Sequence, residues 1–301
     1  MRTIAYDSVG MIAGYTLGDP NGSGNKAGSF RSLVRDSAGR IVGYVHTNSG
    51  ASQPSLDQTF AYDNLDRLTG QTTSATSYAY TYDATGNRTS KSVGGTTYTN
   101  IVDPNSNKLT QTQDINGTAN VQYDAAGHTT SDGINTYSYS DRGRMANASA
   151  QSGSITFKYD GLELRTYKAS SSGTSYYVYD EAGQLLGEYD YNSNPIYETI
   201  YLSSTPVGVV KQNAIYNMSA DHVATPRLLT KQDQTIVWRW DGAEVFGADA
   251  PNQDPSALGL FIYNQRFPGQ VFDIESGLNQ NWNRDYDPKF GRYRQSDPIG
   301  L

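Results

Sequence analysis

The chain has 301 residues, a formal net charge of −7, no cysteine, and a hydrophobic fraction of 36% that is low for a solid core. These figures exclude a disulfide framework and thiol catalysis, and an acidic balance without any basic run excludes nucleic acid as a general partner. The 24 tyrosines argue against disorder, because each ring buries about 150–250 Å² while its hydroxyl reaches a polar partner.

The opening MRTIAYDSVG has no apolar signal-peptide core, and no stretch approaches the roughly 20 apolar residues of a membrane helix. The chain opens inside a repeat, just before Tyr6-Asp7, as the tail of a longer protein would. One position recurs at Tyr6, Arg35, Tyr62, Tyr82, Val102, Tyr123, Tyr139, Tyr159 and Tyr179, mostly about 20 residues apart, enough for two short strands and two turns. The longer early spacings predict insertions in the first units. Within one of them Asp19, Asn21 and Ser23 begin like a calcium loop, but Phe30 stands where a bidentate Glu is required, so the stretch reads as a Gly-rich loop.

The motif Tyr-Asp-x-x-Gly is intact at Tyr82-Asp83-Ala84-Thr85-Gly86, Tyr123-Asp124-Ala125-Ala126-Gly127 and Tyr179-Asp180-Glu181-Ala182-Gly183. Upstream of the first, Tyr78, Tyr80 and Tyr82 share one face of a strand while Ala79 and Thr81 take the other. Asp83 closes that strand by accepting backbone amides just ahead of it, and Gly86 supplies the positive φ of a tight reversal. Arg88 to Val93 is then the return strand, Gly94-Gly95 the next hairpin turn and Thr96 to Asn100 the strand after it. The same reading fits Ser175 to Tyr191, with Tyr177, Tyr179, Tyr189 and Tyr191 in phase. The fold class is therefore all-β, an antiparallel ribbon of hairpins in which tyrosine takes the place of leucine. A tyrosine ladder in every unit weighs toward core over a sugar-stacking strip.

From Asn192 the repeat fades, which divides the chain into repeats over 1–191, a transition over 192–218 and a distinct region over 219–301 that holds all three tryptophans. Trp238 and Trp240 are expected to pack this end region. His46, His128 and His222 are isolated in sequence and offer neither metal-ligand nor triad spacing, with His222 read as bracing a turn. No cofactor and no metal site is expected.

The end region carries ordered motifs: Asp221-His222-Val223-Ala224-Thr225-Pro226-Arg227, Val237-Trp238-Arg239-Trp240-Asp241, Arg266-Phe267-Pro268-Gly269-Gln270, Asp287-Pro288-Lys289-Phe290-Gly291-Arg292-Tyr293 and Ser296-Asp297-Pro298-Ile299-Gly300-Leu301. With the upstream repeats, this series resembles the rearrangement-hotspot (RHS) or YD-repeat core. The resemblance implies a β-ribbon wound into part of a curved or hollow shell with a C-terminal plug region, as in polymorphic toxins, type VI secretion effectors and Tc toxin C components. It implies that the shell encloses a C-terminal toxin of the same polypeptide. It also implies an intramolecular aspartyl autoprotease in the intact family, with Arg284 and Asp297 at the places of the family's arginine and first catalytic aspartate. The family continues to a second DPxGL motif, whereas this chain stops at Leu301, so half of a carboxylate pair and no scissile bond are expected here.

Chemically, two carboxylates sharing a proton would divide acid and base roles, and Arg284 would hold the ionised one. The structural alternative makes Asp297 a turn starter before Pro298 and gives Arg284 ion pairs with the adjacent Asp285 and Asp287. No activity is expected from this chain alone. Two functions from different classes follow. One is a non-catalytic structural and delivery module, exported or cell-surface as part of a larger protein, whose partners are the upstream shell and the toxin. The other is a cell-surface adhesin with glycans as ligands. Open strand edges predict self-association.

Overall fold

The structure, a computed structural model, describes residues 3–242 and 244–297. Antiparallel strands dominate the described residues, and the helical content among them is a single 3₁₀ turn at Gly24–Lys26, inside the expected early insertion. The chain divides into two compact units, the first comprising Met1–Tyr80, Ser92–Gly95 and Thr199–Tyr263, the second Thr81–Lys91, Thr96–Glu198 and Asn264–Leu301.

In the first unit the strands Ile4–Tyr6, Ile12–Leu17, Ser29–Arg35, Ile41–Asn48, Gln58–Tyr62 and Leu68–Thr73 follow one another in chain order, each antiparallel to the next. A second run comprises Thr205–Lys211, Ala214–Ala220, Pro226–Thr230 and Ile236–Arg239. Tyr15, Leu17 and Leu33 pack with Leu228 and Ile236 into one apolar cluster. Trp238 and Trp240 are buried, and Trp238 meets Tyr263 edge-on at 5.7 Å.

The second unit repeats the meander through Thr96–Val102, Leu109–Asp114 and Gly117–Asn120, then from Gln122–Tyr123 through Thr129–Ser131, Thr136–Tyr139, Met145–Ala150, Gly153–Tyr159, Arg165–Ser170, Gly173–Tyr179 and Leu185–Asp190. A register shift falls immediately before the tyrosine position of successive motifs, at Gln122/Tyr123, Ser138/Tyr139, Lys158/Tyr159 and Val178/Tyr179. Such a bulge adds twist once per unit and re-aims the tyrosine that follows it. Beside the ribbon's buried face stands a four-stranded sheet of Gln270–Asp273, Leu278–Asn281, Arg284–Asp287 and Arg292–Tyr293. Val271 packs on Tyr177 and Leu185, and Leu278 packs among Tyr137, Met145, Ile155 and Phe157.

The phase expected for Ser175 to Tyr191 needs a correction. Tyr177 is buried, but its cross-strand partner is Glu188, while Tyr189 lies opposite the exposed Tyr176 and Tyr191 is 73% exposed. The bulge at Val178/Tyr179 shifts the partner strand, so Leu185 and Glu188 take the inner face.

Candidate functional site

Each motif forms a clasp. Asp83 Oδ1 accepts the amides of Thr85 and Asn87 at 3.0 and 2.8 Å, and its Oδ2 accepts the Asn87 amide group at 2.9 Å. The Asn87 side chain, with Thr85 and the two backbone amides, pulls the Asp83 carboxyl down to about 2. Asp180 repeats the arrangement with Ala182 and Gln184, and Asp124 with His128, whose Nδ1 lies 3.0 Å from Asp124 Oδ2. Gly86, Gly127 and Gly183 adopt φ of 93°, 85° and 77°, as the reversal requires. Degenerate motifs keep the clasp through Asp190 with Asn194 and Asp221 with Thr225 and Arg227.

The tyrosine of the motif binds backward. Tyr123, Tyr159 and Tyr179 donate their hydroxyls to the carbonyls of Leu109, Met145 and Arg165, each 14 residues earlier, at 2.9 to 3.0 Å. Tyr62 and Tyr139 do the same to Ile41 and Thr129. These five units are thereby stapled to an earlier strand, with the ring half-buried and the hydroxyl satisfied.

Where the four-stranded sheet meets the ribbon of the second unit, ion pairs join the apolar clusters around Val271 and Leu278. Arg165, fully buried over the rings of Phe157 and Tyr177, pairs with Asp273. Lys168 Nζ lies 3.3 Å from Asp273 Oδ1 and 3.1 Å from Glu275 Oε2. Burial works to raise the Glu275 carboxyl, yet Lys168, Ser170 and Ser172 overrule it and hold the group at about 2. Arg294 bridges Asp132 on the ribbon, at 2.8 Å, to Asp287. Arg88 Nη2 donates to the Lys289 carbonyl at 2.7 Å. The pairs that join ribbon to sheet were not visible in sequence, because they lie more than a hundred residues apart, as Arg165–Asp273 and Arg294–Asp132 do.

Arg284 and Asp297 are brought together: Arg284 Nη1 lies 3.0 Å from Asp297 Oδ2, and the guanidinium stacks 4.0 Å over the Tyr293 ring. Both side chains keep partial access to solvent. Asp285 and Asp287, the ion-pair partners expected for Arg284, are engaged elsewhere, Asp285 with Gln295 and Asp287 with Arg294, because strand alternation turns Asp285 to the other face. Burial pushes the Asp285 carboxyl up to about 6, against the hydrogen bond from Gln295. Pro298, Ile299, Gly300 and Leu301 of the terminal motif lie outside the described residues.

The histidines are less isolated than their spacing implies. His46 is fully buried, with Nδ1 3.2 Å from Asp57 Oδ1 and Nε2 accepting from Arg31 Nε at 2.9 Å. Burial, then Arg31, pushes its ring down to about 4, which leaves it neutral. His222 meets Tyr15 across 3.4 Å rather than a residue of its own motif. No helix among the described residues is long and apolar enough to cross a membrane.

A family model described as the teneurin YD-shell matches residues 25–299. Salivary gland surface protein 1 of Aedes aegypti is 30% identical over 173 residues, covering 50% of this chain and 5% of that protein. Toxin protein Tse5 of Pseudomonas aeruginosa is 42% identical over 82 residues, covering 27% and 6%. Double-stranded DNA deaminase toxin A of Burkholderia cenocepacia is 30% identical over 149 residues, covering 48% and 10%. The chain thus spans 10% or less of the length of these relatives. Among solved structures, a mutant Tc holotoxin pore of Photorhabdus luminescens aligns with 99% of this chain and 20% of its own, at 14% identity and a TM-score of 0.47.

Proposed function

The chain belongs to the teneurin YD-shell family, and from that premise we propose that it is the C-terminal part of an RHS shell that encapsulates and presents a toxin carried by the same polypeptide. It is a structural wall of stapled hairpins, exported as part of a larger protein. Residues 1–191 act as repeats, 192–218 as a transition and 219–301 as the core's C-terminal region. The observation that carries this reading is the docking of residues 264–297 on the buried face of the second unit's ribbon, through Arg165–Asp273, Arg294–Asp132 and the Leu278 cluster. An end region that folds back on the buried face of its own ribbon has the form expected of a plug. Two of its relatives are named as toxins, which supports the delivery role. The burial of Tyr80 and Tyr177, each within its own unit, favours the shell over the glycan-binding adhesin, which needs an exposed aromatic strip.

In this reading Arg284 and Asp297 are half of a self-cleavage site. Asp297 would share a proton with a second aspartate downstream, and Arg284 would hold whichever carboxylate is ionised. The upstream shell would continue the antiparallel pairing at the edge strand Ile4–Tyr6, and an isolated chain would self-associate there.

The test is limited proteolysis and mass spectrometry of the natural polypeptide that contains this chain. The proposal expects a downstream segment protected from protease and cut from the shell after a second DPxGL, with Asp297→Asn abolishing the cut. A downstream segment digested as fast as free peptide would rule out encapsulation. An intact segment boundary in the wild type would rule out the half-site.

A further inference from the structure

The segment that runs from the strand Arg292–Tyr293 to Asp297 is tied down at several points in the second unit. Arg292 Nη2 donates to the Asn107 carbonyl at 2.5 Å, the Thr129 amide donates to the Arg294 carbonyl at 2.8 Å, and Ser296 Oγ donates to the Ala126 carbonyl at 2.9 Å. Between these ties, Gln295 is clasped by one residue in both directions. The Asp285 amide donates to Gln295 Oε1 at 2.7 Å, and Gln295 Nε2 donates to Asp285 Oδ2 at 2.5 Å. The Arg294 amide adds a third bond, to the Asp285 carbonyl at 2.8 Å. Asp285 and Gln295 are both buried, and each sits close in sequence to one member of the Arg284–Asp297 pair.

We propose that Asp285 is a positioning residue for Asp297: by gripping Gln295 it fixes the segment at the distance where Asp297 meets Arg284. The functional meaning of that placement rests on the half-site reading above, while the placement itself does not. A side chain one residue from Arg284 sets the register of the segment two residues from Asp297, and neither clasp member touches the reacting groups. The remaining charged groups around Asp285 are Arg165, Arg144 and Asp273, which bear on it electrostatically and pair elsewhere, Arg165 with Asp273 and Arg144 with Glu163. They give it no second partner in the Asp297 segment.

Carbodiimide-driven amidation of carboxylates, read residue by residue by mass spectrometry, tests this on the chain as it stands, with the exposed Asp141 as internal reference. In the wild type Asp297 should react about tenfold more slowly than Asp141, the scale set by one charge-assisted hydrogen bond, from Arg284. Asp285→Ala should bring Asp297 to the Asp141 rate with far-UV circular dichroism unchanged. Asp285→Asn keeps an acceptor for Gln295 and should keep Asp297 slow, a rescue that a general loss of packing would not give. Gln295→Ala removes the same clasp from the other side and serves should Asp285→Ala fail to fold. A folded Asp285→Ala or Gln295→Ala chain in which Asp297 stays slow overturns the proposal. The footprint needs no cleavage, so an uncut wild-type polypeptide would sink the half-site reading and leave this result to stand or fall separately. Where the polypeptide does cut itself, the cleavage rate should fall in Asp285→Ala and return in Asp285→Asn.

Discussion

Replacing Tyr159 by Phe removes one hydroxyl and nothing else. In the structure that hydroxyl donates to the Met145 carbonyl at 2.9 Å, and burial raises the phenol well above its ordinary pKa, as expected of a group held away from water. The ring stays against the Tyr137, Met145 and Phe157 cluster in the variant. The loss is then one net hydrogen bond, about 1 kcal/mol, rising toward about 2–3 kcal/mol if the Met145 carbonyl finds no substitute. Tyr159→Ala would remove the packing as well, about 3–5 kcal/mol in all. The control is Tyr191→Phe, on a ring 73% exposed, which should stay within about 0.5 kcal/mol of wild type. Urea unfolding followed by circular dichroism gives the comparison, read as a shift in midpoint at constant slope. Tyr179→Phe, one unit on and bonded to the Arg165 carbonyl, should cost as much again and add to Tyr159→Phe within about 0.5 kcal/mol. Equal midpoints for Tyr159→Phe and Tyr191→Phe would mean that the tyrosines only fill space, and the stapled-repeat account would fail.

Three other outcomes follow from the second unit. Asp273→Ala leaves Arg165 and part of Lys168 buried without a countercharge and should cost about 3–5 kcal/mol in urea unfolding, where a loss under about 1 kcal/mol would show the network to be idle. Gly183→Ala places a methyl group 2.6 Å from the Trp282 ring at φ +77°, so it should destabilise by at least about 1 kcal/mol, part of which Trp282→Ala returns in a double-mutant cycle. Asp285 has a native pKa raised from 3.8 to about 6, so its carboxyl is protonated in both states in strong acid and must ionise in place as pH rises through about 6. At about 1.4 kcal/mol per unit that rise costs the native state about 3 kcal/mol. Asp285→Asn should therefore be more stable than wild type above about pH 7 and equal to it near pH 3, and a flat difference across pH would contradict the buried-acid assignment.

The local half of this architecture was legible because its chemistry is local. Asp83, Asp124 and Asp180 bond amides two and four residues ahead, so the spacing of Asp and Gly alone describes the turn. The alternation of Tyr78, Tyr80 and Tyr82 likewise gave the buried face. The role of the motif tyrosine was not legible, since its acceptor is a backbone carbonyl that carries no letter. The inner face was misjudged for a different reason. Between Ser175 and Tyr191 Glu188, not Tyr189, lies buried beside Tyr177, and a charged residue in alternation looks like part of a solvated face until a second layer covers it. Arg284 and Asp297 were singled out together by family resemblance, whereas Asp285 read only as an ion-pair partner of Arg284 and Gln295 carried no signal, because nothing in a sequence marks two residues ten apart as sharing an amide clasp.

The range of the contacts also dictates an order of events. Clasps close within four residues and staples reach from 10 to 21 residues back, so the stapled hairpins of the ribbon complete themselves with the loop-closure entropy of a short segment. The inner sheet joins through Arg165–Asp273 and Arg294–Asp132, separated by 108 and 162 residues, and its charges lose hydration before they meet. Docking of residues 270–297 is therefore expected to be the last step of folding and the first to reverse. Native-state hydrogen exchange should find the amides of Phe272 and Arg294, bonded to Asn264 and Asp285, exchanging by a cheaper opening than those of Thr85, Asn87 or Gln184 in the clasps when the clasps are protected. Asp273→Ala should widen that gap by weakening the dock alone. Loss of both sets together, in wild type and variant alike, would mean that the ribbon cannot hold without its inner sheet, and the wall and its plug would have to be treated as one cooperative unit.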